Sequence, residues 1–246
     1  MIRIVYLVIA LSLFFVQFVF SQDVRAVESF NKVIVSPYIQ VSFIEGAEES
    51  VIIESNATAD ENLHIEVKGN ILHLYLEDAK LFPMEEKISK KGKIVDRLQY
   101  DLATVKAIVT YKTLNEISVR GEEDFEFLSP LKGEELLLTV YGSSHIFLNE
   151  VELKQLRATL YGESKLEVKK GSVQIQRYIS YGTSVVDALA ISSEDARIIA
   201  YGDGRFKINA DKRIKITAYG NSSLKYTGNA TIKKGVNIGN LLIDKI

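Results

Sequence analysis

The second half of the chain alternates apolar and polar residues around a glycine that returns at a nearly fixed interval. The segments "LTVYGSSHIFL" (138–148), "ATLYGESKLEV" (158–168) and "YISYGTSVVDA" (178–188) show this pattern, and two further copies follow. The repeated glycines are Gly142, Gly162, Gly182, Gly202 and Gly220. An earlier, degenerate copy places Arg120 before Gly121. The positions two and four before the glycine, and four and six after it, are mostly apolar, a period-two spacing that is typical of strands with one buried face.

Each repeat therefore predicts a strand, a corner at the glycine, a second strand and a looser return of several residues. One unit cannot bury its apolar face alone, whereas stacked units place each apolar row over its equivalent in the next coil. The sequence predicts an all-β fold, a single-domain parallel β-helix (β-solenoid) with coils of about 20 residues. We expect it to be right-handed, as parallel crossovers generally are. The alternative is an antiparallel barrel or sandwich of short strands.

The five repeated glycines are predicted to be the structural corner, because a sharp bend between two strands needs a backbone conformation that a Cβ atom disfavours. A serine follows two residues later in most copies. This serine row consists of Ser144, Ser164, Ser184 and Ser222. We expect their hydroxyl groups to bond to backbone groups inside the corner. A nucleophilic role is disfavoured, since no His or Asp recurs at a phase that could activate them.

A tyrosine precedes each repeated glycine, out of phase with the buried rows, so its ring is predicted to face outward. This tyrosine ladder consists of Tyr141, Tyr161, Tyr181, Tyr201 and Tyr219. Four residues before the ladder, on the same face, lie Arg157, Arg177 and Arg197. Stacked rings stabilise a parallel sheet by about 0.5–1.5 kcal/mol a pair. A line of exposed aromatic and cationic side chains can also hold an extended polymer. Both interpretations stay open, and these residues form the candidate binding surface.

The first 21 residues have the character of a cleaved signal peptide. Arg3 carries the charge of this segment, residues 4–20 are almost wholly apolar, and Val19 and Ser21 suit the positions before a cleavage site. A single-pass membrane anchor is the alternative for an apolar run of this length. We expect an exported protein that is periplasmic, attached to the cell surface or secreted, with no integral membrane segment after cleavage.

Residues 22–246 are expected to form the solenoid domain. Residues 29–79 alternate without Tyr-Gly and predict atypical first coils or a cap, and "LHIEVKGNILHLYLED" within them predicts a hairpin. Residues 80–101 break the pattern and are rich in lysine, which predicts a charged insertion loop. Residues 102–228 are assigned to the repeat coils, and residues 229–246 to a C-terminal coil or cap.

Composition narrows the possible chemistry. The chain has no Cys and three His, so disulfides, thiolate sites and a His-rich metal site are not expected. Without Arg3, 29 basic residues face 32 acidic ones, a net charge of −3 that argues against nucleic acid as a partner. Glu122, Glu123 and Asp124 form the tightest acidic group, with no paired acid or base placed near them. We therefore predict no catalytic, cofactor-binding or metal-binding residues.

An export signal, the segment "SFNKVIVSPYIQVSFIEG" and repeats of the form apolar-x-apolar-x-Gly-x-Ser-x-apolar together resemble the putative autotransporter adhesin, head GIN domain family. The resemblance covers roughly residues 29–240. It implies a single-stranded β-helix at the surface or in the periplasm of Bacteroidetes-type bacteria, and it brings no catalytic residues. The chain departs from the family where Ser-x-apolar replaces a frequent second Gly, and in the longer, more charged 80–101 segment.

These features predict an exported, non-enzymatic adhesion or binding module of the cell envelope, with a glycan or a cell-surface protein as its partner. The first alternative is a structural protein that assembles through its ends. The second is a polysaccharide-processing enzyme, because β-helices often host lyases and glycosidases. The sequence leaves the ligand and the oligomeric state open.

Overall fold

Two β-sheets built from successive coils share a single apolar core. They are seen in a computed structural model, which describes residues 23–77, 79 and 105–246 and the backbone of residues 86–90 and 93–97. One sheet has 11 strands and the other has 10. The prediction of an all-β, single-domain parallel β-solenoid is confirmed. Its right-handed sense stays a prediction, and the predicted signal peptide lies outside the described residues.

The N-terminal strands form a first coil and a layer that covers it. They are β1 (Asp23–Ala26), β2 (Lys32–Val35), β3 (Ile39–Glu45), β4 (Ser50–Asn56), β5 (Leu63–Lys68), β6 (Ile71–Leu76), β7 (Glu86–Lys90), β8 (Lys93–Arg97) and β9 (Val105–Tyr111), with a 3₁₀ turn at Asp60–Asn62. Strands β2 and β3 make the first coil, and β6 and β9 cover it as parallel neighbours. Strands β5, β4 and β1 then add antiparallel pairs. Antiparallel edge strands thus close this end of the solenoid, as a cap does.

Each later coil contributes one strand to each sheet. The long-strand sheet continues with β10 (Glu116–Gly121), β12 (Leu131–Gly142), β14 (Val151–Gly162), β16 (Gly171–Gly182), β18 (Ile191–Tyr201), β20 (Arg213–Tyr219) and β22 (Thr231–Ile238). The short-strand sheet continues with β11 (Asp124–Phe127), β13 (His145–Leu148), β15 (Lys165–Val168), β17 (Val185–Ala188), β19 (Arg205–Asn209), β21 (Ser222–Thr227) and β23 (Leu241–Lys245). All of these strands pair in parallel with the equivalent strand of the next coil.

The order of the coils in space differs from their order in the chain. Strand β10 pairs with β2 and β11 pairs with β3, although β4 to β9 intervene in the sequence. Strand β9 falls within the region 102–228 that the sequence assigns to the repeats, but it belongs to the N-terminal layer. The repeat coils therefore begin at β10. At the other end, β22 and β23 make a last coil from residues of the 229–246 segment.

Part of the charged insertion, residues 80–101, is an antiparallel hairpin. Strands β7 and β8 pair with Glu86 opposite Arg97 and form a small sheet of their own. The sequence predicts a loop here because this segment lacks the repeat pattern. No helix within the described ranges combines the length and the apolar character that crossing a bilayer requires.

Equivalent residues of successive coils stand directly over one another. Tyr141 is opposite Tyr161, Gly142 is opposite Gly162, and the same register continues through the next coils. The rows predicted to face inward are buried with one exception, Tyr226, which is half-buried. Like residues therefore stack in ladders, and this stacking explains why the repeat keeps its residue types.

The return between coils is a third strand segment and not the looser connection that the sequence suggests. In β14 the ladder to β16 is interrupted at Lys154 and resumes at Gln155. The alternation of buried residues also shifts by one position there: Val151 and Leu153 are buried before the interruption, and Leu156 is buried after it. One extra residue at a bend keeps both segments facing the core. The inward row that this bend adds is Leu136, Leu156, Gln176, Ala196 and Ile214.

Candidate functional site

The tyrosine ladder runs across the outer face of the long-strand sheet as one stack of parallel rings. Ring centroids of neighbouring coils are 4.8, 4.8, 4.9 and 5.0 Å apart, and the ring planes differ by 3–5°. These distances suit offset stacking. Tyr161, Tyr181 and Tyr201 are exposed and Tyr141 and Tyr219 half-buried, so the rings face outward, as the alternation predicts. Whether the ladder binds a partner stays a prediction.

The ladder shows ring edges and hydroxyl groups to solvent, because the ring faces cover one another. The guanidinium carbon of Arg120 lies 5.4 Å from the centroid of the Tyr141 ring and covers the N-terminal end of the stack. At the other end Tyr219 pairs with Ile238. Tyr161, Tyr181 and Tyr201 are 36, 40 and 41% exposed. Partial burial, together with Tyr141 and Tyr181 on either side, raises the pKa of Tyr161.

A row of cations runs parallel to the ladder, four residues before it. We call it the cation row; it consists of Arg157, Arg177, Arg197, Lys215 and Lys233, which are opposite one another in the sheet. Arg157 makes an ion pair of 3.2 Å with Glu135. Partial burial lowers the pKa of Arg177, and the neighbouring charges of Arg157 and Arg197 lower it further.

Between the two rows lies a strip of β-branched side chains. It consists of Thr139, Thr159, Ile179, Ile199 and Thr217, all half-buried. A groove of about 280 Å³ follows this strip beside the cation row, lined by residues that include Arg177, Ile179, Arg197, Ile199, Lys215 and Thr217. The structure thus places the predicted tyrosines and arginines on one face, with a groove along the cation row that the sequence could not reveal.

The glycine and serine rows lie together at the bend between the two sheets. The backbone φ of the five corner glycines is positive throughout. Each serine hydroxyl donates a hydrogen bond to the carbonyl oxygen of the corner glycine in the preceding coil, for example Ser164 to Gly142 at 2.9 Å. All four serines are buried, so an external substrate cannot reach their hydroxyl groups. This placement supports a packing role for them rather than a nucleophilic one.

Within the acidic group 122–124, Glu123 supports the fold. Glu123 occupies the place that serine takes in the later coils, and it is buried. Its carboxylate accepts hydrogen bonds from the backbone nitrogen of Tyr38 at 2.8 Å and from that of Glu122 at 3.0 Å. Tyr38 itself has a φ of 71°, so the carboxylate supports a strained corner of the first coil. Sequence reasoning missed this role, although the replacement of Ser by Glu at the serine phase was a signal.

Catalytic groups do not converge on this face. The titratable residues that line the groove are cations, whereas glycoside chemistry requires two facing carboxylic acids. Nor do three or more His, Asp or Glu side chains gather as a cation site would need anywhere in the described part of the chain. The arrangement is suited to binding.

The comparisons with known proteins agree with this architecture. The family model described as "Putative auto-transporter adhesin, head GIN domain" matches residues 29–230. The crystal structure of a putative adhesin from Bacteroides fragilis NCTC 9343 is 21% identical, with a TM-score of 0.73 over 91% of this chain and 95% of its own. The search among curated proteins found no match.

Two structures from Parabacteroides are also similar. A putative adhesin from P. merdae ATCC 43184 is 18% identical, with a TM-score of 0.65 over 92% of this chain and 95% of its own. A protein from P. distasonis ATCC 8503, named a putative lipid binding protein, is 20% identical, with a TM-score of 0.65 over 91% of this chain and 95% of its own. At these identities the likeness shows a shared fold.

Proposed function

Because the chain belongs to the auto-transporter adhesin head GIN domain family, we propose that it is an exported, non-enzymatic binding module of the cell envelope. The names of its structural neighbours, adhesins and in one case a lipid binding protein, support a binding role. The family also supports a surface, periplasmic or secreted location. The apolar N-terminal segment of the sequence is consistent with that location.

The observation that carries the proposal is the exposed face of the tyrosine ladder and the cation row. A soluble monomer rarely exposes large side chains in a continuous line unless the line contacts a partner. The rings are held in register by the sheet, so little side-chain entropy is lost on binding. The ladder has four intervals of 4.8–5.0 Å, which favours an extended partner such as a glycan chain or a strand of a cell-surface protein.

The test is a double substitution in the middle of the ladder. Tyr161→Thr with Tyr181→Thr keeps a good outward strand residue at both positions, so the fold should survive. We expect the variant to retain its circular dichroism spectrum and to lose binding to bacterial cells and to a glycan array. Matched controls are Tyr75→Thr and Phe147→Thr, half-buried aromatic residues outside the ladder. Unchanged binding by the double variant would overturn the proposal that this face is the binding surface.

Assembly through the C-terminal end is a second candidate function. The last coil leaves Val236, Ile238, Leu242 and Ile246 exposed, at 55, 63, 57 and 59%. Strands β22 and β23 are also the last strands of their sheets, so their outer edges can pair with another chain. Sedimentation of the protein and of an Ile238→Lys, Leu242→Lys variant tests this candidate. A monomer at all concentrations would exclude it.

A further inference from the structure

The cation row stands out because like charges face each other along it. Five cations follow one another on five successive strands. Like charges directly opposite each other destabilise a sheet. Within the described coils, no other outward row has more than two like charges in succession. A repeat that optimised stability alone would not keep this row.

Elsewhere on the surface, opposite charges of neighbouring coils form ion pairs. Lys170 pairs with Glu150 at 2.7 Å, Lys207 with Asp187 at 2.8 Å, and Lys212 with Glu194 at 2.8 Å. In the cation row, Arg157 at one end makes an ion pair with Glu135. For Arg177, Arg197 and Lys215 the described residues offer no carboxylate within 4.0 Å. These three cations at the groove thus lack a direct ion pair, and Glu135 offsets only part of the repulsion on Arg177.

The tyrosine ladder favours the same kind of ligand. Its ring faces are covered by neighbouring rings, so it offers ring edges and hydroxyl groups. Aromatic edges carry the positive part of the ring quadrupole, and a phenol donates a hydrogen bond. The strip of β-branched side chains thus has cations on one side and the tyrosine hydroxyl groups on the other. Four residues of extended strand, about 13 Å, separate the two rows.

We infer that this face binds an acidic polysaccharide that runs along the solenoid axis, with its carboxylate or sulfate groups on Arg177, Arg197 and Lys215. The inference rests on the proposed function and specifies its ligand. The chain would lie over Ile179, Ile199 and Thr217, with its hydroxyl oxygens beside the tyrosine hydroxyl groups. Guanidinium groups suit carboxylate and sulfate because two parallel N–H donors match two oxygens.

A single-stranded nucleic acid fits this face less well, although it is also a linear polyanion. Such strands are held by bases stacked on exposed aromatic faces. The ladder rings are 4.8–5.0 Å apart and stack on each other, which leaves no room for a base between them. An acidic polysaccharide needs no aromatic faces, because its rings carry hydroxyl groups that accept hydrogen bonds from the ladder.

The experiment measures binding of the purified protein to polygalacturonate oligomers and to neutral galactan oligomers of the same length. The test variant is Arg177→Gln with Arg197→Gln. The matched control is Lys132→Gln with Lys154→Gln, which removes the same charge from cations that are paired with Glu152 and Glu134. Each titration is run at about 0.1 M and about 1 M salt, where the Debye length falls from about 10 to about 3 Å. Binding is also measured to free galacturonate, and to vesicles that either contain or lack anionic phospholipid.

We expect the acidic oligomer to bind, the neutral one not to bind, and high salt to weaken the complex. The Arg177→Gln, Arg197→Gln variant should lose about tenfold or more in affinity, equivalent to about 1.4 kcal/mol, and the control less than about twofold. The melting temperature of the test variant should stay the same or rise, because the substitutions relieve repulsion between the cations of the row. A lower melting temperature would show that the cation row is structural and would overturn the inference.

The remaining outcomes separate this inference from the proposed function. Neutral and acidic oligomers could bind equally well, with binding unaffected by the arginine variant but lost in the Tyr161→Thr, Tyr181→Thr variant. This result would overturn the inference that the ligand is acidic, and it would leave the proposal of a binding face intact. If the protein binds anionic vesicles and does not bind the acidic oligomer, the inference of a polysaccharide ligand is overturned and the ligand is a lipid surface. If free galacturonate binds as tightly as the oligomer, the inference that the ligand is an extended chain is overturned.

Discussion

Gly162 lies so close beneath Gly142 of the preceding coil that a Cβ atom on Gly162 would stand 2.4 Å from the Gly142 carbonyl oxygen. The atom it would meet is backbone, held in place by the sheet. The φ of Gly162 is also +106°, a conformation that L-residues rarely adopt. The corner thus excludes a side chain for two independent reasons, close contact and backbone conformation.

Substitution at this corner should therefore be costly. We expect Gly162→Ala to lower the free energy of unfolding by more than about 2 kcal/mol, from combined strain and overlap. Gly133→Ala is the control, because Gly133 has a φ of +143° but open space around its Cβ position. It should cost about 1 kcal/mol. Denaturant melts of both variants measure the difference, and equal losses would show that the contact with Gly142 does not matter.

The serine row should contribute in proportion to its hydrogen-bond geometry. Ser164 donates to the Gly142 oxygen at 2.9 Å, whereas Ser184 donates to the Gly162 oxygen at 3.4 Å. Ser164→Ala is expected to cost about 1 kcal/mol. The Gly142 oxygen keeps the bond from the Glu163 backbone nitrogen, so the loss stays moderate. Ser184→Ala should cost less. The reverse order in thermal melts would refute this account of the row.

A polar network inside the core predicts opposite effects at two neighbouring positions. The Tyr178 hydroxyl donates to Oε1 of Gln176 at 2.9 Å, and Gln176 Nε2 donates to Ser193 Oγ at 2.8 Å. Tyr178→Phe leaves a buried acceptor of Gln176 unpaired and should cost about 1–3 kcal/mol. Ser180 Oγ is buried and, among the described residues, lacks a partner. Ser180→Ala should therefore be neutral or stabilising, and a clear loss in denaturant melts would contradict this.

Alkaline pH should unfold the protein through its buried tyrosines. Burial raises the pKa of Tyr178, and burial together with Glu45 raises that of Tyr111. Their folded pKa values lie above the unfolded value of about 10, so this stability is complete below about pH 10 and is lost as the pH rises towards the folded values. Tyrosinate absorbance should show a group of tyrosines that ionise only as circular dichroism is lost. Full ionisation before any unfolding would contradict the burial of these rings.

The repeats could be predicted from the sequence because each ladder repeats one residue type at one phase. The alternation of buried Leu138 and Val140 with Thr139 and Tyr141 was enough to separate the inner face from the outer face. The same logic fails where the pattern shifts by one residue, as at Lys154, because the extra residue at the bend hides the third strand segment. Gln176 also interrupts the apolar row that this segment contributes.

The N-terminal arrangement could not be predicted, because its pairings are not sequential. Nothing in the local alternation of β2 indicates that β10, more than 80 residues later, becomes its neighbour. The Glu123 carboxylate that supports Tyr38 connects parts of the chain 85 residues apart. Such contacts depend on the assembled coil. The groove beside the cation row is likewise a property of three aligned strands, β16, β18 and β20.

The most direct test of the binding face is footprinting of the tyrosine ladder. Tyrosines of the free protein are modified with hydroxyl radicals and quantified by mass spectrometry, alone and bound to bacterial cells. We expect Tyr161, Tyr181 and Tyr201 to react in the free protein and to become protected on binding, while the fully buried Tyr178 stays unreactive in both states. Bound protein in which the three ladder tyrosines react as in the free state would contradict the account.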